Sequence, residues 1–253
     1  MTQSKDRTEG SEQLEMRGDM EGGEAKSVER ERPPTRPALA DGPSTARAQR
    51  EADPLDRAAD LARHGDLAEA TSAYRAHLTR HPEDAIARRG LADVLEQKGD
   101  FVGALGELGR AIDAQPEDIS LLCARSAVQM ALQRYDQAEA DLRRASKLDA
   151  DNAEVLYNYG MLFCKKARWR EAIVPLQRAV ELDPSNSQGH YYLAEAYNQT
   201  DQLKLALASY EESVKLQPTN HRALKGVGIV LDKLGRPAEA TAAYQRAREA
   251  LRR

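Results

Sequence analysis

The fold is decided by a pattern shared by residues 153–186, AEVLYNYGMLFCKKARWREAIVPLQRAVELDPSN, and residues 187–220, SQGHYYLAEAYNQTDQLKLALASYEESVKLQPTN. The two stretches are equal in length, and each carries a proline, Pro184 or Pro218, two residues before its end. Apolar residues recur at helical spacing in both stretches, and no alternating β-branched run interrupts them. The pattern therefore predicts two helices and a turn, repeated along the chain.

The repeat extends through residues 51–253. Alanine returns at one constant interval without a slip, at Ala70, Ala104, Ala138, Ala172, Ala206 and Ala240. A large apolar residue follows each alanine by four positions, at Tyr74, Leu108, Leu142, Leu176, Tyr210 and Tyr244. A small residue precedes each alanine by twelve positions, at Ala58, Ala92, Ser126, Gly160, Ala194 and Gly228. One helical hairpin cannot bury its apolar face alone, so six units in register predict a stacked array.

Local signals set the ends of these helices. Asp53-Pro54 is typical of a helix start, because the aspartate caps the first turn and the proline needs no N–H there. The residue before a proline is pushed out of helical geometry, so second helices end near Pro82, Pro116, Pro184 and Pro218. Pro175 falls inside the second helix of its unit, where we expect it to remove one backbone hydrogen bond and bend the helix.

The pattern resembles the tetratricopeptide repeat, a helix–turn–helix unit of about 34 residues. The resemblance divides the array into repeats 1 to 6, which span residues 51–84, 85–118, 119–152, 153–186, 187–220 and 221–253. It implies an all-α fold: a right-handed α-solenoid, or superhelix, of antiparallel helix-turn-helix repeats. The first helices would line a concave groove, and the groove would bind peptides or folded partners.

The remaining N-terminal residues differ in composition. Residues 1–50 are rich in Glu, Arg, Ser, Gly and Pro, and residues 29–37 read ERERPPTRP. Such a segment cannot bury enough apolar surface to offset its ordering entropy, which predicts a disordered tail. The tail is either a solvated extension or a partner-binding segment.

Charge, hydropathy and cysteine content exclude several classes of function. The net charge is -4, so no electrostatic argument favours nucleic acid as a partner. No run approaches the ~20 apolar residues that membrane insertion requires. Two distant cysteines do not make a disulfide framework, which indicates a cytoplasmic protein.

The resemblance also places the groove surface at fixed positions of each first helix. Those in repeats 2 to 6 include Ile86, Asp93, Ser120, Ala127, Gln188, Asn198, Gln199, Ile229 and Lys233. The partner-binding residues that we select are Arg89, Cys123, Tyr157, Asn158, Met161, Lys165, Tyr191, Tyr192, Glu195, Arg222 and Lys225. Tyrosines beside cations predict a partner segment with apolar and acidic residues. The alternative is that the tyrosines cover helix seams and the charges are solvated.

Two ligand classes of the resembled family do not fit this groove. Members that capture a terminal carboxylate carry Lys at the fifth and Asn at the ninth position of one first helix. Here Arg89 is followed by Asp93, and Lys225 by Ile229. The asparagine ladder of the sugar-transferase members is represented by Asn158 alone.

Candidate chemistry is sparse. His77 and His81 have a spacing that can bind a metal, but no third ligand is evident, so we favour seam or surface histidines and expect no metal or cofactor. Cys123 and Cys164 map to positions about 10 Å apart along neighbouring helices, too far for a disulfide, and are expected to be free thiols. Without a nucleophile–base set we predict no enzyme, but a scaffold or adaptor.

Two further hypotheses remain. The array is alternatively a regulatory or assembly subunit of a multiprotein enzyme complex. The edge formed by repeat 6 has no additional helix, and a second copy or a partner would pack there.

Overall fold

The computed structural model describes residues 54–252, and these residues form helices with no strand among them. The predicted tail at residues 1–50 and the capping residue Asp53 lie outside the described residues. In chain order the helices are α1 (Pro54–His64), α2 (Leu67–Arg80), α3 (Ala85–Gln97), α4 (Phe101–Ala114), α5 (Ile119–Ala131), α6 (Tyr135–Leu148), α7 (Ala153–Lys165), α8 (Trp169–Leu182), α9 (Ser187–Gln199), α10 (Leu203–Leu216), α11 (His221–Lys233) and α12 (Pro237–Arg252).

Consecutive helices pack in pairs, and the pairs stack. Each odd-numbered helix packs on the even-numbered helix that follows it, and α2, α4, α6, α8 and α10 also pack on the helix that opens the next pair. Two residues separate the helices within α1/α2, whereas four separate α2 from α3. The prediction of an all-α solenoid of antiparallel helix-turn-helix repeats is confirmed.

Each of the helices α3, α5, α7, α9 and α11 begins at an Asp or Asn cap. The Asp84 carboxylate accepts from the Ala87 N–H at 3.0 Å, and the Asn220 side chain accepts from the Ala223 N–H at 3.1 Å. Such a side chain satisfies a backbone donor that has no partner inside the helix. The caps recur at the last position of repeats 1 to 5, at Asp84, Asp118, Asn152, Asn186 and Asn220.

The turn inside each pair requires a left-handed residue. Gly65, Gly99 and Gly235 have φ values of 89°, 79° and 74°. The corresponding residues of the other pairs have side chains: Gln133, Ala167 and Asp201, at 59°, 55° and 61°. A left-handed residue with a Cβ costs about 1–2 kcal/mol, so these three turns carry strain that the glycine turns avoid.

The small residue of the first helix makes room for a large one. A Cβ on Gly160 would lie 2.2 Å from Cγ of Leu176, which is fully buried. The close neighbour of Gly160 in the second helix is therefore Leu176, four residues after the repeated alanine Ala172. Helix α8 continues from Trp169 to Leu182 with Pro175 inside it. The proline removes a hydrogen-bond donor but does not end the helix.

The apolar core forms two clusters that meet in α7. The first runs from Ala58 to Leu162, and the second from Cys164 to Ala243. Beside this boundary the seam between α6 and α7 is polar, because Lys166 Nζ donates to Glu139 at 3.0 Å. The exposed face of α7 therefore lies over the junction of the two clusters.

Candidate partner-binding groove

The first helices lie on one side of the array, and most neighbouring ones are in contact. Contacts join α1 to α3, α5 to α7, α7 to α9 and α9 to α11, whereas no comparable contact joins successive second helices within residues 54–252. A stack of helix pairs curves toward the side on which successive helices are closer together. The concave face therefore lies on the first helices, as the sequence predicted.

Four tyrosines gather at the centre of repeats 4 and 5. The ring centroids of Tyr157 and Tyr192 lie 6.1 Å apart, and those of Tyr191 and Tyr192 lie 5.3 Å apart in an edge arrangement. Tyr191 also lies 6.0 Å from Tyr210 of α10. We call Tyr157, Tyr191, Tyr192 and Tyr210 the tyrosine cluster. Sequence reasoning selected its first three members, and Tyr210, which it treated as a repeat-packing residue, is 0% exposed and supports Tyr191 from inside the fold.

The tyrosine hydroxyls stay protonated. Burial raises the pKa of Tyr191 to about 12 and also raises the pKa of Tyr157 and Tyr192. The Tyr157 hydroxyl donates to Sδ of Met161 at 3.8 Å. The cluster is therefore a neutral surface of rings and hydroxyl groups, of the kind that anchors protein interfaces.

Glu195 is held by the protein itself. The hydroxyl of Tyr210 donates to its Oε1 across the interface of α9 and α10. The nearby Glu195 charge adds to burial in raising the pKa of Tyr210. This carboxylate has a fixed place at the floor of the groove, close to Tyr191.

Arg222 borders the tyrosine cluster, and Lys165 and Lys225 lie at groove positions of α7 and α11. Lys165, Arg222 and Lys225 are exposed and form no ion pair within the described part of the chain. Arg222 lies near enough to Tyr191 and Tyr192 to lower the pKa of both, against the larger effect of burial. Lys233 differs, because its Nζ donates to Oδ1 of Asn198 at 2.7 Å.

Two selected residues do not face the groove. Cys123 is 0% exposed, and the side chains of Arg89, Glu154 and Asn158 lie beside its thiol. Asn158 is 4% exposed, and its Nδ2 donates to the carbonyl of Glu154 at 2.9 Å. Selecting them as partner contacts was wrong, because α5 and α7 pack against each other here and bury Cys123 and Asn158 between them. The other nine are at least partly exposed.

The cysteines are free and shielded. Cys123 and Cys164 are both buried and unpaired by a disulfide. Burial raises the pKa of each thiol to about 12, so neither is a reactive thiolate at neutral pH.

The two histidines belong to the seam between repeats 1 and 2. Nε2 of His77 lies 2.8 Å from Oδ2 of Asp84 in a hydrogen bond, and the His81 ring lies 4.8 Å from the His77 ring. Asp84 thus caps α3 and fixes the end of α2 at once. Residues 54–252 contain no group of three His, Cys, Asp or Glu side chains arranged to hold a metal ion.

The helices from Pro54 to Arg252 include none with the length and apolarity needed to cross a bilayer.

Comparison with known proteins agrees with this geometry. The tetratricopeptide repeat family model matches residues 55–119, 124–187, 162–221 and 199–252. This chain belongs to the tetratricopeptide repeat family. The right-handed α-solenoid is the fold of that family, and the resemblance found in the sequence is confirmed.

Solved structures of the same fold include several repeat proteins. MamA is 25% identical, with a TM-score of 0.53, over 64% of this chain and 95% of MamA. YrrB, described as a TPR protein with an unusual peptide-binding site, is 19% identical, with a TM-score of 0.50, over 71% of this chain and 93% of YrrB. A chain of the APC/C hetero-tetramer Cut9-Hcn1 is 16% identical, with a TM-score of 0.73, over 78% of this chain and 39% of that chain. No curated protein sequence matches this chain.

Proposed function

We propose that this tetratricopeptide repeat protein is a non-catalytic scaffold or adaptor whose groove binds a segment of a partner protein at repeats 4 to 6. The observation that carries the proposal is the tyrosine cluster in a groove with cations that have no ion pair among the described residues. We extend the proposal to a cytoplasmic location, which the two free thiols favour.

The cluster is ready to bind before a partner arrives. Tyr191 touches both Tyr192 and Tyr210, so its ring has little rotational freedom left to lose. Binding to a surface that is already ordered avoids the entropic cost of immobilising side chains. An apolar side chain of a partner segment would cover these rings, and the Tyr192 hydroxyl would donate to a backbone carbonyl of the segment.

The cations of the groove favour a partner segment that carries negative charge. Lys165, Arg222 and Lys225 have no acidic partner among the described residues, so an acidic side chain of the bound segment would pair with them. Ionised hydrogen bonds of this kind are stronger than neutral ones. We therefore infer a partner segment that contains apolar and acidic residues.

A second candidate is a regulatory or assembly subunit of a multiprotein enzyme complex. The observation that favours it is the structural likeness to a chain of the Cut9-Hcn1 hetero-tetramer. Purification of the native protein separates the two candidates, because an assembly subunit would bring one stoichiometric enzyme with it.

Self-association through repeat 6 has less support. Leu207 and Val214 of α10 are buried where the next repeat packs on them. The equivalent positions of repeat 6 hold Thr241 and Arg248, which are both exposed. Polar side chains on this face of repeat 6 favour its exposure to solvent over packing against a second copy of the chain.

The scaffold proposal is tested with the full chain as bait. Wild-type protein and the Tyr157→Ala/Tyr191→Ala variant capture proteins from a lysate, and mass spectrometry compares the two sets. Val174→Ala, at a side chain 70% exposed on α8, is the matched control. We expect the double variant to lose partners that the control keeps. Equal capture by all three proteins, with unchanged circular dichroism, would refute the groove assignment.

A further inference from the structure

Charged side chains in the groove remain unpaired, whereas many outside it are paired. Ion pairs join Arg88 to Glu107 at 2.7 Å and Arg125 to Asp141 at 2.6 Å between the helices of one repeat. None of the ion pairs within residues 54–252 involves a groove position of repeats 2 to 6. The free charges of the groove are therefore available to a bound segment.

Carboxylates dominate the N-terminal end of the groove. Asp93 and Glu96 are exposed on α3, with Arg89 as the neighbouring cation of the same helix. Partial desolvation by the surrounding helices raises the pKa of both carboxyl groups, and Arg89 offsets part of this effect at Asp93. Two exposed carboxylates beside one half-buried arginine leave this end acidic.

Cations dominate the C-terminal end. Arg222 and Lys225 are exposed on α11. The acidic residues nearby are engaged inside the protein, because Tyr210 donates to Glu195 and Tyr244 donates to Asp232 at 2.8 Å. Tyrosine hydroxyls thus hold the carboxylates and leave the cations facing the groove.

The stretch between the two ends has no excess of one charge. Helix α5 offers Ser120 and Ala127 at its groove positions, and α7 and α9 offer Tyr157, Met161, Tyr191 and Tyr192. Glu154 and Lys165 of α7 have opposite charges, and Tyr210 holds the carboxylate of Glu195. The order along the groove is therefore acidic, then aromatic without excess charge, then basic.

We propose that the groove binds an extended protein segment in one direction only, with its basic residues against repeat 2 and its acidic residues against repeat 6. Apolar or aromatic residues of the segment lie between them on the tyrosine cluster. This inference rests on the proposed function, because it concerns the same groove. A segment bound in the opposite direction would place its basic residues against the cations of repeat 6 and its acidic residues against the carboxylates of repeat 2. Charge complementarity of this type fixes the register of a bound segment and disfavours partners with the wrong charge order.

The groove also sets the length of the segment. From α3 to α11 there are four steps between neighbouring first helices, each about 10 Å, or ~40 Å in all. An extended chain covers about 3.3 Å per residue, so about 12 residues connect the two charged ends.

The experiment selects ligands from a library of random 16-residue peptides displayed on phage, with the full chain as target. We expect the selected peptides to carry Lys or Arg at one end, apolar or aromatic residues in the middle and Asp or Glu at the other end. A synthetic copy of one peptide, and a copy with its charged ends exchanged, are then measured by fluorescence anisotropy. The exchanged copy should bind at least tenfold more weakly.

Charge reversal at each end of the groove provides the variants. Asp93→Lys/Glu96→Lys should remove the selection for basic residues and keep the selection for acidic ones. Arg222→Glu/Lys225→Glu should do the opposite. Glu83→Lys/Glu117→Lys changes the charge by the same amount at exposed loop residues and is the control. All four replaced groove residues are exposed, so the variants are expected to fold.

The outcomes separate this inference from the proposed function. Peptides that need Tyr157 and Tyr191 but show no charge order, with equal affinity for Asp93→Lys/Glu96→Lys, overturn the inference and leave the scaffold proposal standing. A library that yields no peptide dependent on the tyrosine cluster overturns both.

Discussion

Gln177 donates a hydrogen bond to the Tyr197 hydroxyl at 2.8 Å, across the seam between α8 and α9. The equivalent positions two repeats earlier, at the seam between α4 and α5, hold Gly109 and Gln129. Gln129 is buried, and its Oε1 has no hydrogen-bond partner. The glycine removes the side chain that would supply one.

Gly109→Gln should therefore stabilise the array. A Cβ on Gly109 meets nothing within 4 Å, so the new side chain has room. Replacing a helical glycine gains about 1 kcal/mol, and a new hydrogen bond to Gln129 adds about 1 kcal/mol more. Urea unfolding followed by circular dichroism measures the gain. Gly109→Ala is the control for helix propensity, and a glutamine variant no more stable than the alanine variant shows that Gln129 gained no bond.

The turn of repeat 4 predicts a second gain in stability. Ala167 has a φ of 55°, where Gly99 in repeat 2 has 79°. Ala167→Gly should raise the free energy of unfolding by about 1 kcal/mol, because the left-handed region penalises a Cβ. Gly99→Ala should lower it by a similar amount. The strain at Ala167 is disproved if its glycine variant unfolds at a lower urea concentration than wild type.

Tyr191 should contribute to binding mainly through its ring. Its replacement by Ala should weaken a library-selected peptide by about 1–2 kcal/mol, as expected for an aromatic anchor. Tyr191→Phe keeps the ring contacts with Tyr192 and Tyr210, at 5.3 Å and 6.0 Å, and should retain most of the affinity. Fluorescence anisotropy measures both variants. Equal losses for Phe and Ala would assign the effect to the hydroxyl instead.

The ionised carboxylate of Asp93 should lower the free energy of unfolding at neutral pH. Desolvation raises its pKa above the ordinary value of 3.8, so the folded state binds the proton more tightly than the unfolded state. The cost is complete above the folded-state pKa and disappears as the pH falls below 3.8. Asp93→Asn should raise the melting temperature at pH 7, and its advantage should shrink in acid. Glu117→Gln, at an exposed turn, is the control, and a pH-independent advantage at Asp93 would contradict this origin.

Much of the fold was predictable because the same sequence pattern occurs in each of the six repeats. A single proline or small residue is compatible with many structures, whereas Ala172 and its five counterparts at a fixed interval are compatible with few. The recurring Asp and Asn caps, such as Asp84, carried the same signal and were not used. The bend expected at Pro175 depends on one residue and stays a prediction, while α8 itself continues past the proline.

The groove residues were harder to predict, because side chains at equivalent positions of different repeats need not be equally exposed. Tyr157 and Cys123 occupy the same position of their repeats, yet only the cysteine is fully covered. The difference arises from neighbouring helices, since α7 packs on α5 and burial raises the pKa of the Cys123 thiol. Tyr210 is fully buried, so its part is to support Tyr191 and to hold Glu195 from inside the fold.

The junction of the two apolar clusters in α7 has a mechanical consequence. Leu162 belongs to one cluster and Cys164 to the other, and the adjoining seam between α6 and α7 is bridged by the Lys166–Glu139 ion pair. Each half of the array is therefore expected to unfold with some independence, since repeat arrays are stabilised by nearest neighbours. A peptide that spans repeats 2 to 6 would contact both halves of the array. Its binding would therefore couple the two unfolding transitions into one.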